Sequence, residues 1–425
     1  MSEDNIIEFT NPAKPVVQDQ LTNFLRINAA KLLQAALEAE VEELINNFKQ
    51  SKIDNTKQRI VRNGYLPERD IKTGIGDIPV KVPRVRDRAE VEEPVVFESE
   101  LIPKYMRRTV TLDLMLPILY LKGISTNDFQ DALAPMLGEN SKTISPGVIS
   151  SLKKSWYTDF QQWQKSDLSK KKYVYFWADG VYFQARMESD KSCMLVIVGA
   201  DEHGNKELVA LIDGFRESKD SWKNLLLDLK SRGLNYAPHL SVGDGALGFW
   251  GALSEVYPST KHQRCWVHKT VNVLDKLPKN QQASAKSMLH DIYLSATKKD
   301  AFKAFDKFIN KYEEKYSKAT DCLVKDKDAL MNFYDFPARH WQHIRTTNPI
   351  ESTFATVKHK TRRSRGCFSR ETVVASTFKL LQEAQKRWKK LYGYKQLADV
   401  ISLVKFIDGI DERTIKNKSD LRGAA

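Results

Sequence analysis

The sequence predicts a mixed fold, α/β at its centre and α+β overall, and three observations carry that prediction. Residues 172–184 are dense in β-branched and aromatic side chains, as a strand in the middle of a sheet requires. Two further extended runs, 193–198 and 207–212, follow it, the second after the turn residues Asp201-Glu202-His203-Gly204-Asn205; together the three read as an antiparallel meander. Beyond them the pattern alternates: a helix over 219–232, a short strand over 239–242 ending at Gly243-Asp244-Gly245, a helix over 246–257 and a fifth strand over 261–267. Three antiparallel strands followed by helix, strand, helix and strand is the order of the ribonuclease H-like fold.

The flanking elements are mainly helical. Residues 1–17 read as a disordered tail. Apolar residues at Leu21, Phe24/Leu25, Leu32/Leu33, Ala36/Leu37, Val41, Leu44/Ile45 and Phe48 form one stripe of a helix suited to a core or a dimer. Residues 71–75 and 78–82 flank Gly76-Asp77 and predict a hairpin with a proline-bearing edge strand; the first region spans 18–105. Residues 106–165 predict three helices, the last opened by Ser145-Pro146 as N-cap and first-turn proline, in a helix-turn-helix-like arrangement with Lys153 and Lys154 facing DNA. A polar segment leads into the sheet domain, 172–268. A helical insertion, 269–343, carries a stripe of Phe302, Phe305, Phe308/Ile309, Tyr312 and Tyr316 that suits a core. The last region, 344–425, opens with Asn348 as a cap and Pro349 in the first turn, and holds a long helix over 371–391.

Composition narrows the class. The chain of 425 residues is long enough for two to four domains, and its 41% hydrophobic and 28% charged content are those of a soluble protein. A net charge of +13 points to a polyanionic partner, with nucleic acid first. No signal peptide is expected, and the apolar run 112–121 is too short for a bilayer and contains Asp113. Cys193, Cys265, Cys322 and Cys367 are scattered, as reduced thiols of a cytoplasmic protein are.

Three carboxylates fall at special places. Asp179 lies inside the first strand, where aspartate is disfavoured. Asp244 sits between two glycines at the end of the fourth strand, and Glu351 lies at the start of a helix beyond the insertion. A turn role for Asp244 and a capping-box role for Glu351 are the plain alternatives. If strands one and four are neighbours, Asp179 and Asp244 converge, and a helix crossing beside them can add Glu351. Such a set of oxygen ligands suits two divalent cations, Mg2+ or Mn2+, about 3.5–4 Å apart, in phosphodiester cleavage.

Four stretches in this order resemble the Mutator-type DDE transposases of insertion sequences: Asp179-Gly180-Val181-Tyr182, Gly243-Asp244-Gly245-Ala246-Leu247-Gly248-Phe249-Trp250, Cys265-Trp266-Val267-His268 and Asn348-Pro349-Ile350-Glu351-Ser352. The similarity extends to 36–42 and 62–65 and so covers nearly the whole chain. It implies that Asp179, Asp244 and Glu351 form the catalytic, metal-binding triad, separated by an all-helical insertion. It also implies binding of terminal inverted repeats, strand cleavage, transfer of the freed 3′-hydroxyl to target double-stranded DNA, a homodimer or higher assembly, and a nucleoid-associated protein. Cys265 and His268 match the family's Cys-x-x-His element. With His262 nearby a zinc site is conceivable, but four ligands are wanting, and a structural role is preferred, with Trp266 packing or stacking near DNA.

Between Arg339 and Lys390 there are thirteen Lys/Arg and three acids. Lys358, Lys360, Arg362, Arg363 and Arg365 directly follow Glu351 in sequence and are the expected phosphate contacts. A DNA-binding regulator without transposition and a ribonuclease H-like nuclease are the alternatives. The intact acidic triad argues against the first, and the long amino-terminal region against the second.

Overall fold

The computed structural model describes residues 20–53, 56–112, 115, 119, 124, 133, 146–183, 192–214, 217–245, 247–351, 354 and 369–415. The chain divides into two compact units, Met1–Ser150 and Ser151–Ala425.

The first unit is built on helix α1 (Gln20–Asn47), followed by short strands β1 (Lys52–Ile53) and β2 (Lys57–Gln58). Strand β3 (Ile60–Tyr65) pairs antiparallel with β6 (Pro83–Asp87), and between them β4 (Arg69–Thr73) and β5 (Gly76–Val80) form the expected hairpin. Its turn is Gly74-Ile75 rather than Gly76-Asp77. Gly76 already pairs with Thr73, at φ +111°, and the Thr73 hydroxyl donates to the Gly76 carbonyl at 2.7 Å. Leu37 of α1 packs with Ile71, Ile78, Val80, Val82 and Ile102. The rest of the predicted stripe is not all core: Phe24 and Leu32 are exposed. The first two helices of the expected helix-turn-helix lie largely outside the described residues. The third is present as α2 (Pro146–Gln164), most of which belongs to the second unit.

The second unit centres on a five-stranded mixed sheet of β7 (Tyr173–Phe183), β8 (Ser192–Asp201), β9 (Lys206–Gly214), β10 (Leu240–Gly243) and β11 (Lys261–Arg264), in the order β11-β10-β7-β8-β9. β7, β8 and β9 form the antiparallel meander, and β10 runs parallel to both β7 and β11. One face is covered by α3 (Lys219–Ser231) and α4 (Leu247–Val256), whose Trp222, Leu225, Leu226, Phe249 and Leu253 pack on Phe176, Ala178, Leu195 and Ile197. Side chains alternate along a strand, so Tyr175 and Trp177 point to the other face. There the Tyr175 hydroxyl meets His340 Nδ1 at 2.8 Å and the Trp177 indole donates to the His343 carbonyl at 2.8 Å.

After β11 come helices α5 (Trp266–Leu274), α6 (Lys279–Leu294), α7 (Lys298–Val324), α8 (Lys327–Met331) and α9 (Trp341–Ile344); α5, α6 and α7 pack on one another, and α8 packs on β11. The stripe on α7 is core, as expected, with Phe305, Phe308 and Tyr312 buried. The fifth strand is shorter than the sequence predicts. Cys265 N makes a last sheet bond to Gly243 O at 2.8 Å, and Cys265 then caps α5, so Trp266, Val267 and His268 are helical. The last predicted helix is α10 (Arg370–Gln385), capped by Ser369, whose hydroxyl accepts from Thr372 N.

Candidate active site

The register of β7 and β10 fixes two of the three predicted carboxylates. The parallel pairing ends at Ala178 beside Gly243, so Asp179 and Asp244 are the next residue on each of two adjacent strands. Adjacent strands lie about 4.8 Å apart, which brings the two carboxylates together at the carboxyl end of β10. Asp179 lies on the same face as Tyr175 and Trp177 and is 9% exposed; its Oδ1 accepts from the Gly180 amide at 2.9 Å. β10 stops at Gly243, and Gly245 follows at φ +88°, a conformation that favours glycine. The space its side chain would occupy is filled by the guanidinium of Arg264, which is buried and ion-paired to Asp326 at 3.4 Å.

Glu351 arrives from the segment after α9. The helical turn starts at residue 348, so Thr347, not Asn348, stands at the cap: its carbonyl accepts from the amides of Ile350 and Glu351. The Thr347 hydroxyl donates to Glu351 Oε1 at 2.6 Å, and His268 Nδ1 is 3.7 Å from the same oxygen. The charges of Asp244, Glu351 and His268 all act on Asp179, so the structure brings the three predicted carboxylates into one electrostatic site. Burial above all, with the negative charges of Asp244 and Glu351, pushes the Asp179 carboxyl up to about 7, against the opposing pull of His268.

The Cys265-x-x-His268 element ties the segments together. Cys265 N bonds to the end of β10, Trp266 N bonds to Arg345 O at 3.0 Å, and Thr347 N donates to Cys265 Sγ at 3.3 Å. Burial alone would push the Cys265 thiol up, but hydrogen bonds from His268 and Thr347 hold it below its ordinary value. The bond to Cys265 raises His268 to about 9 against the opposing effect of burial, and the charges of Cys265, Asp179 and Glu351 add to the rise. The surroundings of His268 thus favour its protonated form beside Glu351. One ligand atom each of Cys265, His268 and Glu351 lie within 4.8 Å of one another, which also fits a softer metal ion. His262 is not part of that group; its ring stacks on Trp250 with centroids 4.7 Å apart.

Trp266 corrects one expectation. It is fully buried, packs against Tyr293 and donates its indole N–H to Leu330 O at 2.9 Å, so it is a core residue and not a surface on which bases stack. On α2, Lys154 is exposed and Lys153 half-buried, its ammonium pKa lowered by burial. Lys358, Lys360, Arg362, Arg363 and Arg365 lie outside the described residues. Sequence reasoning missed Glu217, just ahead of the Ser218 cap of α3. Burial first, then the charges of Asp244 and Asp179, raise it to about 7. An acidic residue before a helix gives no such signal by itself; the glycines that make room for it, Gly180 and Gly248, do.

A family model described as "Transposase, Mutator family" matches residues 2–391. The chain belongs to the Mutator family of transposases. As a transposase it is an enzyme that cuts and joins DNA. It is 48% identical, over 66% of its length, to 95% of the transposase for insertion sequence element IST2 of Acidithiobacillus ferrooxidans. It is 46% identical, over 65% of its length, to 84% of the transposase for insertion sequence element IS6120 of Mycolicibacterium smegmatis. Among solved structures, the Drosophila P element transposase strand transfer complex is matched at 12% identity and a TM-score of 0.24, over 73% of this chain and 93% of that one, a likeness too slight to build on. No described helix of this transposase is long and apolar enough to cross a membrane.

Proposed function

We propose that this transposase is a DDE enzyme in which Asp179, Asp244 and Glu351 serve metal-dependent DNA strand cleavage and 3′-hydroxyl strand transfer, on a sheet of ribonuclease H-like type. The observation that carries the reading is the register of β7 and β10, which sets Asp179 beside Asp244, together with the charge of Glu351 felt at Asp179. The donor chemistry fits a hard divalent cation. The site gathers carboxylate oxygens, and Asp179, driven up to about 7 by burial and like charge, stands to gain from a compensating cation. When bound by these three residues, two Mg2+ or Mn2+ ions would activate the attacking oxygen and stabilise the leaving oxygen of a phosphodiester.

The chain's own groups prepare that chemistry. The buried strand β7 fixes Asp179 with little freedom to move. Thr347 orients Glu351 through a short hydrogen bond, and His268 adds a positive charge that moderates repulsion among the carboxylates. The helical segment 269–343 acts as an insertion that brings the Glu351 segment back to the sheet. Lys154 and the basic residues Lys358, Lys360, Arg362, Arg363 and Arg365 neutralise DNA phosphates. The region before the sheet binds the terminal inverted repeats, and the exposed Phe24 and Leu32 of α1 suit association with a second copy during synapsis. The test is incubation of the purified protein with DNA carrying the element's ends and a target plasmid. Joined products that require Mg2+ and vanish with EDTA are expected; joining that survives EDTA overturns the reading.

A further inference from the structure

We infer that Glu217 is a fourth carboxylate of the cation site, holding a metal ion together with Asp179 and Asp244. The inference rests on the metal-dependent reading above and extends it to a residue outside the predicted triad.

Two glycines make the case geometrically. A side chain at Gly180, the residue after Asp179, would bring its Cβ 2.9 Å from Glu217 Cδ and 3.0 Å from each carboxylate oxygen. A side chain at Gly248, in the first turn of α4, would strike the backbone of residues 217–219, 2.7 Å from Lys219 N and 3.0 Å from the Glu217 carbonyl. Both motifs that carry the predicted aspartates thus leave room for the same segment, and that segment delivers a carboxylate. Ser218 then caps α3 by accepting from Ser221 N, which holds the backbone at Glu217 in place.

Among the described residues Glu217 finds few partners: its Oε1 is buried without a hydrogen-bond partner there, and Oε2 has only a long contact, 3.4 Å, from the Tyr182 hydroxyl. Among the described residues no Lys, Arg or His makes an ion pair with it. The nearby Lys219 and Lys223 both turn to Glu255. A buried carboxylate oxygen with no donor is costly, and burial with the like charges of Asp244 and Asp179 outweighs the opposing effects of the Tyr182 hydroxyl and of His268. A divalent cation shared with those aspartates supplies the missing partner.

The test is Mn2+ binding to the full-length protein without DNA, followed by the electron paramagnetic resonance signal of free Mn2+. Glu217→Gln should weaken the binding of one ion by about 10- to 100-fold, with an unchanged melting temperature or a higher one. Asp179→Asn is the control. Wild-type Mn2+ binding in Glu217→Gln, alongside lost binding in Asp179→Asn, overturns the role of Glu217 and leaves the triad standing. Wild-type binding in both variants overturns the cation site as a whole. Should the glutamine variant not fold, Gly180→Ala serves instead, because the new methyl displaces the Glu217 carboxylate: weakened Mn2+ binding supports the inference, and an unchanged isotherm overturns it.

Discussion

Thr347 joins Cys265 to Glu351. Its amide donates to Cys265 Sγ at 3.3 Å, and its hydroxyl lies 2.6 Å from Glu351 Oε1 and 3.3 Å from the same sulfur. A hydroxyl has one proton to give, and the shorter contact takes it, so Thr347 presents Glu351 to the site while its amide anchors the turn on the thiol. Thr347→Val keeps the shape and the amide but removes the hydroxyl. It should lower the rate of DNA cleavage by about 10- to 100-fold with little change in DNA affinity. Cleavage at the wild-type rate in a folded Thr347→Val protein would show that Glu351 is held in place by other contacts.

The carboxyl groups of the site give the metal-free protein a distinctive pH dependence. Asp179 and Glu217 both rise to about 7 in the folded chain, above their ordinary values of 3.8 and 4.5. The folded state therefore keeps protons that the unfolded chain releases between about pH 4 and 7, and stability falls as pH rises through that window. The two groups interact, so the slope belongs to the pair. His268, raised to about 9, contributes stability that is full below 6.5 and fades through 9, so it acts in the next window. Melting in EDTA at pH 5 and pH 7 should show wild type losing several degrees and Asp179→Asn losing less. Equal slopes in the two proteins would contradict the electrostatic account of Asp179.

Trp266 lies in the core, and its substitution should act through stability. Trp266→Ala should cost about 3–5 kcal/mol and depress the melting temperature sharply. Trp266→Phe should melt lower than wild type, since Leu330 O loses the indole donor, yet bind DNA unchanged when folded. A Trp266→Phe protein with the wild-type melting curve and weakened DNA binding would restore a stacking role.

Much of the sheet was legible because its signals are local. The aromatic and β-branched density of 173–183, the turn at Asp201–Asn205 and the apolar face of α3 each follow from short-range periodicity, and the structure carries all three. Boundaries were less legible. The fifth strand was read through Val267 because Cys265-Trp266-Val267 is apolar in either state, whereas the bond from Trp266 N to Arg345 O comes from a segment far along the chain. For the same reason packing and stacking near DNA both stayed open for Trp266: its partners, Tyr293 and Leu330, belong to helices distant in sequence. Asp179 stood out because a lone charge in an apolar strand demands an explanation. Glu217 did not, because an acid beside a helix cap is ordinary until the space left by Gly180 and Gly248 is seen.

The central claim is that Asp179, Asp244 and Glu351 perform the chemistry and the rest of the chain positions DNA for it. The most direct measurement is single-turnover cleavage of DNA carrying the element's ends, in Mg2+, by wild type and by Asp179→Asn, with end binding measured on the same preparations. The account predicts wild-type binding by Asp179→Asn and a cleavage rate lower by about 10⁴-fold. Cleavage by Asp179→Asn at the wild-type rate would contradict it.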